Sequence, residues 1–302
     1  MQGAPKSLKD KGDKFNHANH HQAVRRAFSR LAEQYNDNDF LAQVVHARMA
    51  ERLDYLRIKP QVVADIGCGA GRSLPELARR YPQAQLLALD QSTAMLQAAE
   101  RYLPVCWLGG EAESLPFASA SLSFVWSNLL LAWVVDPSVV LGEVARVLSN
   151  DGLLMFSTLG LDSLQELRHS FSVAEQLSGL EACGHTQHFY DMHDLGDLLL
   201  QNGFADPVMD MEKLTFTYSS FEKLVGELRA AGGCVSHGRR RGLSGKSLWR
   251  AVKQVYETYR LDGRLPVSVE VIYGHAWKSA PGKISDDRDV VRFFNNAGGN
   301  DK

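Results

Sequence analysis

Long apolar runs are absent from this chain of 302 residues, and none approaches the length of a membrane span. Its four cysteines, Cys68, Cys106, Cys183 and Cys234, show no C-x-x-C spacing, which argues against a disulfide framework or a zinc ribbon. Reduced thiols in a cytoplasmic protein are the simple reading. The net charge is only −2 and there is no basic tail, so nucleic acid is not an expected partner. The start, Met1-Gln-Gly-Ala-Pro-Lys6, carries no hydrophobic segment, so no secretory signal is expected. No internal repeat is apparent. With 45% hydrophobic residues, the chain has the composition of a soluble enzyme with one elaborated domain.

What is present is concentrated in residues 62–71, Val-Val-Ala-Asp-Ile-Gly-Cys-Gly-Ala-Gly. A β-branched run reaches Asp65, glycines follow at Gly67, Gly69 and Gly71, and a helical segment begins near Arg72. Such a turn lets a ligand lie against bare backbone. The pattern differs from the dinucleotide fingerprint G-x-G-x-x-G/A, which needs a small residue where Arg72 stands. An acidic residue leading into G-x-G-x-G suits a cationic nucleoside without a pyrophosphate, such as S-adenosylmethionine (SAM). About 20 residues on, Leu86-Leu-Ala-Leu-Asp90 ends in a carboxylate placed to accept ribose hydroxyls. Further strands are expected at Val105–Leu108, Leu122–Trp126 and Gly152–Thr158, and at 207–218 and 267–277. Strands separated by helices at this spacing give an α/β fold.

On these motifs, residues 60–160 resemble class I SAM-dependent methyltransferases, whose core is a Rossmann-like seven-stranded sheet. The resemblance implies Asp65, Gly67, Gly69 and Gly71 around the methionyl part of SAM, and Asp90 with Gln91 on the ribose. It also implies Glu111 and Ala112 at the adenine, and Asn128 where the fourth strand meets the methyl-transfer site. Glu111 replaces the family's usual Asp and keeps an acceptor.

The flanks are more specific. They include Arg26-Ala-Phe-Ser-Arg-Leu-Ala-Glu-Gln-Tyr-Asn36, Thr158-Leu-Gly-Leu-Asp-Ser-Leu-Gln-Glu-Leu-Arg168 and His188-Phe-Tyr-Asp-Met-His-Asp-Leu195. Gly238-Arg-Arg-Arg-Gly-Leu-Ser-Gly245 and Gly263-Arg-Leu-Pro-Val-Ser-Val-Glu-Val-Ile-Tyr-Gly-His-Ala-Trp277 complete the set. Together, over residues 24–278, they resemble the malonyl-[acyl-carrier protein] O-methyltransferases of biotin synthesis. That implies an acyl-carrier protein as partner. A second family shares several motifs: the arginine-hydroxylating assembly factor of respiratory complex I. A non-catalytic assembly protein that retains the SAM fold is a third reading.

Residues 1–22 and 279–302 are polar and read as flexible ends. Residues 23–57 read as a lid, with an amphipathic helix over 39–56. The methyltransferase core is expected at about 60–218 and 267–278. The segment 219–262, helical in pattern, separates the sixth and seventh strands and reads as a substrate cap. The run Arg239-Arg240-Arg241, with Lys246 and Arg250 beyond, is either a solvated loop or a docking patch for an acidic carrier protein. His17, His20 and His21, and His185, His188 and His193, lack a carboxylate or cysteine at a standard ligand spacing, and no metal is expected.

The substrate class that the resemblance implies sets the chemistry. A carboxylate with a reference pKa near ~4 is already an ionised nucleophile, so no general base is needed. Catalysis is then positioning and desolvation. Arg168 is a candidate to hold one carboxylate oxygen, because guanidinium matches carboxylate geometry. Tyr35, Trp133, Tyr190 and Tyr273 are candidates to shape or close the site, with Tyr35 on the lid.

Overall fold

The computed structural model describes residues 11–35, 39–99, 104–187, 189–232, 235 and 245–279. Its strands are β1 (Val62–Ile66), β2 (Gln85–Asp90), β3 (Val105–Gly109), β4 (Leu122–Ser127), β5 (Leu148–Leu159), β6 (Phe204–Tyr218) and β7 (Leu265–Lys278). They form one sheet in the order β3-β2-β1-β4-β5-β7-β6. The first five are parallel, while β7 lies antiparallel between β5 and β6. The chain order reverses between β1 and β4, where α/β sheets open a crevice beyond the strands' carboxyl ends.

The strands are apolar on both faces because helices cover both. Val63, Phe124, Leu153 and Val271 enter one core, and their neighbours Ala64, Val125, Leu154 and Ile272 enter the other. The first core also takes Val45, Met49 and Leu53, which lie on or just after α2 (Phe40–Arg52). The second takes Val140, Leu141 and Val144 of α5 (Pro137–Val147), and Leu195 and Leu199 of α7 (Met192–Gln201). Between these helices lie α3 (Leu74–Arg80), α4 (Thr93–Ala98) and α6 (Gln165–Leu177). Asp39, Ser92, Asp136 and Asp191 cap the helices that follow them by accepting a backbone N–H.

The strand at 152–158 begins earlier than its apolar residues suggest, at Leu148, which pairs with Leu122 before a register shift carries the ladder on to Leu153. Two helices, α8 (Phe221–Ala230) and α9 (Lys246–Glu257), lie between β6 and β7. Despite that insertion, the two strands pair antiparallel from Phe204↔Lys278 to Tyr218↔Leu265.

One expectation is corrected. Residues 11–22 are not a flexible end: they belong to α1 (Lys11–Leu31). Val24 is buried, and the imidazole of His20 makes a hydrogen bond with the Trp133 carbonyl at 3.2 Å. Residues 1–10 and 280–302, the Arg239–Arg241 run, Cys234 and His188 lie outside the described residues. No described helix is long and apolar enough to cross a membrane.

Candidate active site

A cleft opens at the carboxyl ends of the parallel strands, with an empty volume of about 1380 Å³ counting its mouth. Its wall changes character across the sheet. On the β1–β2–β3 side it is made of Gly67, Gly69, Asp90, Gln91, Gly110, Ala112 and Glu113. On the β5–β7 side it is made of Leu159, Leu164, Leu167 and Val269, joined by Leu228 of α8 and Ala231 just after it. Asn128 to Leu130 and Ala132 to Val134, which follow β4, lie where the two halves meet. Val24, Phe28, Tyr35, Asp39 and Leu41 close the cleft from the N-terminal segment. No Lys or Arg lines the cleft among the described residues.

The glycines divide their work. Gly67 and Gly69 face the cleft with φ of +75° and +54°, a region that costs other residues energy. A Cβ on Gly69 would stand 3.4 Å from the Tyr35 ring. Gly71 does not line the cleft; a Cβ there would fall 2.8 Å from Trp107, so its lack of a side chain serves packing against β3.

Asp90 fits the ribose position. Its Oδ2 accepts the Gly69 N–H at 2.9 Å and its Oδ1 accepts the Ser92 N–H at 2.8 Å. Each oxygen keeps further acceptor capacity toward the cleft. Burial raises the Asp90 pKa, and the two N–H donors oppose that rise.

Two further expected positions sit differently. The Asp65 carboxylate is buried behind the loop, where it accepts the Ser73 hydroxyl and does not line the cleft. Burial pushes its pKa up to about 7, with the Ser73 hydrogen bond pulling the other way. Glu111 is exposed, because a bridge between Glu111 and Ser114 turns the segment, and Ala112 and Glu113 line the cleft instead. Glu113 Oε1 is buried without a hydrogen bond, 3.4 Å from His21 Nε2 of α1, and burial raises its pKa.

Asn128 ties the parts of the site together. Its Nδ2 donates to the Ala42 carbonyl of α2 at 3.1 Å, and its Oδ1 accepts from Ser157 of β5 at 2.8 Å. Tyr35 and Trp133 both line the cleft, and Phe28 packs edge-on against each of them. Burial pushes the Tyr35 phenol pKa well above its ordinary value, and the neighbouring Asp39 charge adds to this.

Arg168, Tyr190 and Tyr273 are not brought to the cleft. Arg168 is exposed, donates to the Leu161 carbonyl and faces the Phe189 ring. Tyr273 is buried under the Arg52 guanidinium, 3.8 Å from its ring centre, and donates to Glu212 at 3.4 Å. Tyr190 donates to the Val134 carbonyl at 3.1 Å.

The histidines have no carboxylate or cysteine at a standard ligand spacing in the sequence, yet the fold gives one of them both. The loop after α6 brings Cys183 and His185 onto the buried Glu175, with His185 lining the cleft. Burial alone would raise the Glu175 pKa, but hydrogen bonds from His185 and Cys183 outweigh it and leave it lowered. Spacing did not reveal this group because its carboxylate comes from the helix, eight residues before the cysteine. Asp39, Glu113 and His21 were likewise missed: nothing local marks a cap or a helix residue as facing a cleft.

The cleft accommodates SAM. Bare backbone at Gly67 and Gly69 leaves room beside Tyr35, Asp90 offers acceptors, and a carboxylate oxygen of Glu113 is buried without a hydrogen bond.

Comparison with known proteins agrees with this geometry. Residues 64–156 match the family model described as "Methyltransferase domain". The YcgJ protein of Bacillus subtilis shares the fold with a TM-score of 0.54 at 15% identity, covering 79% of this chain and 99% of its own. The malonyl-[acyl-carrier protein] O-methyltransferase of Gallionella capsiferriformans is 43% identical over 285 residues, covering 90% of this chain and 95% of that protein. The protein of the same name from Laribacter hongkongensis is 42% identical over 293 residues, with 91% and 96% covered. The arginine hydroxylase and non-catalytic readings find no support among these relatives. SAM is the methyl donor of such a domain, and the chain belongs to the malonyl-[acyl-carrier protein] O-methyltransferase family.

Proposed function

We propose that the cleft joins SAM to a malonyl thioester presented by an acyl-carrier protein, and that the free malonyl carboxylate takes the methyl group. The observation that carries this is the division of the cleft wall. One half offers bare backbone and carboxylate acceptors; the other sets the apolar Leu159, Leu164, Leu167 and Val269 beside the uncharged polar groups of Ser163, Thr186 and Gln187 and the His185 imidazole.

In this reading Asp90 and Gln91 hold the ribose, Gly67 and Gly69 pass the methionyl part, and Ala112 with Glu113 borders the adenine. Bound SAM supplies an electrophilic methyl group on its sulfonium. Leu159, Leu164, Leu167 and Val269 strip water from the acyl end, which strengthens every polar contact inside. The carboxylate needs no base, being ionised at neutral pH. Thr186 and Gln187, on the loop after α6, hold one of its oxygens while the other attacks. No Lys or Arg lines the described wall, so there the carboxylate meets uncharged donors. Arg168, exposed and donating to the Leu161 carbonyl, is not assigned this role. Tyr35 and Phe28 close the cleft above the glycine loop.

Methylation removes the charge, which would be costly in an apolar chain-elongation site, and the ester serves biotin synthesis. The carrier protein is acidic, and Lys246 and Arg250, exposed on α9 and preceded in sequence by Arg239–Arg241, supply a complementary surface. The test is incubation with malonyl-carrier protein and methyl-labelled SAM. A base-labile methyl ester on the malonyl group is the expected product. Label that appears on arginine, or nowhere, overturns the reading.

A further inference from the structure

Glu175, Cys183 and His185 meet at one point beside the cleft. His185 Nε2 stands 2.9 Å from Glu175 Oε1 and 3.2 Å from Cys183 Sγ, and Sγ stands 3.3 Å from the same Oε1. Three different donor atoms, a carboxylate oxygen, a thiol sulfur and an imidazole nitrogen, thus converge within hydrogen-bonding distance of one another. A cation at the centre would satisfy all three.

The site is built. The imidazole lies flat on the Phe171 ring at 3.7 Å, which fixes the direction of Nε2. The Glu175 side chain is only 4% exposed and that of His185 12%. The carboxylate comes from a rigid helix, and the other two ligands come from the loop that follows it.

We propose that Glu175, Cys183 and His185 bind a zinc ion. The donor set is thiolate, imidazole and carboxylate, which suits a borderline-soft divalent ion and not calcium or magnesium. Tetrahedral zinc with ordinary bond lengths separates such ligands by about 3.3–3.6 Å, so each pair needs to open by only about 0.4 Å. A thiolate and a carboxylate neutralise the ion, which limits the penalty of holding it half-buried. On binding, the Cys183 thiol gives its proton to solvent and sulfur bonds the metal. Three protein ligands leave a fourth position for water, as open zinc sites do. The inference is independent of the methyl-transfer reading.

The test uses the full chain, freed of metal by a chelator and titrated with Co²⁺ in the absence of oxygen. One equivalent is expected to give a near-ultraviolet thiolate-to-cobalt charge-transfer band with strong visible absorption, and Zn²⁺ is expected to abolish both. Cys183→Ser should remove the charge-transfer band, while Cys68→Ser, Cys106→Ser and Cys234→Ser should keep it. Glu175→Gln and His185→Asn should each weaken Zn²⁺ binding at least about tenfold, with circular dichroism showing that the variants fold. No charge-transfer band in the unaltered chain, or a band that survives Cys183→Ser, overturns the proposal.

Discussion

The Asp90 carboxylate holds the backbone N–H of Gly69 at 2.9 Å, across 21 positions of sequence. The residue that ends the second strand thereby fixes the loop after the first. In the proposed function Asp90 has two tasks, accepting ligand hydroxyls and keeping the glycine loop open for them. Asp90→Ala should weaken SAM binding by roughly 10- to 100-fold, the range expected for lost hydrogen bonds to a charged acceptor. Asp90→Asn keeps one acceptor oxygen and should lose less. Calorimetric titration checks the order, and equal affinities for all three proteins would remove Asp90 from the site.

Gly69 and Gly71 should fail in different ways when changed. Alanine at 71 meets Trp107 at 2.8 Å and a φ of +79°, so Gly71→Ala should destabilise the fold by about 2–4 kcal/mol. Alanine at 69 meets only the Tyr35 ring, at 3.4 Å, inside the cleft. Gly69→Ala should therefore cost less stability and more SAM affinity. Thermal melts with and without SAM separate the two effects. A larger melting loss for Gly69→Ala would contradict this assignment.

Asp65 should make stability depend on pH. Its folded pKa is about 7, above the ordinary value of 3.8 that the unfolded chain keeps. Between those values the folded state holds a proton that the unfolded chain has released. The stability this provides is full below about pH 4 and is lost as the pH rises through about 7, on the order of 4 kcal/mol in all. Asp65→Asn stays neutral throughout, so the wild-type melting temperature should fall relative to the variant as the pH rises over that window. Parallel curves for the two proteins would show that Asp65 keeps an ordinary pKa in the fold.

If α9 docks the carrier protein, Lys246→Glu with Arg250→Glu should raise KM for the protein-bound substrate and leave SAM affinity unchanged. Both side chains are exposed, and neither lines the cleft. The difference should shrink with added salt, since screening acts over roughly 8 Å at physiological ionic strength. An unchanged KM at low salt would place the docking surface elsewhere.

The elements written in short-range patterns were legible in the sequence. The parallel strands β1 to β4 end within a residue or so of their apolar runs, because alternating burial on a covered sheet demands those runs. Gly67, Gly69, Asp90 and Ala112 line the cleft, carried there by strand ends and turns through local geometry. Helix α1 was not legible. Its polar contacts reach Ser92, Glu113 and Trp133, more than 60 residues away, and such distant partners leave no local pattern to read.

The α/β class was readable from glycines and carboxylates at fixed distances from strand ends, and the family from motifs that resemble those of its members, because both are written in short stretches of chain. Only the tertiary structure decided which similar side chains face the ligand. It turned Asp65 onto Ser73 and Glu111 to solvent, brought Glu113 and Asp39 inward, and left Arg168 outside. It also joined Glu175 to Cys183 and His185, a meeting that depends on how a loop folds back on its helix. Residue type and spacing fix what a side chain can do; its direction and the elements packed around it fix whether it does so at the cleft.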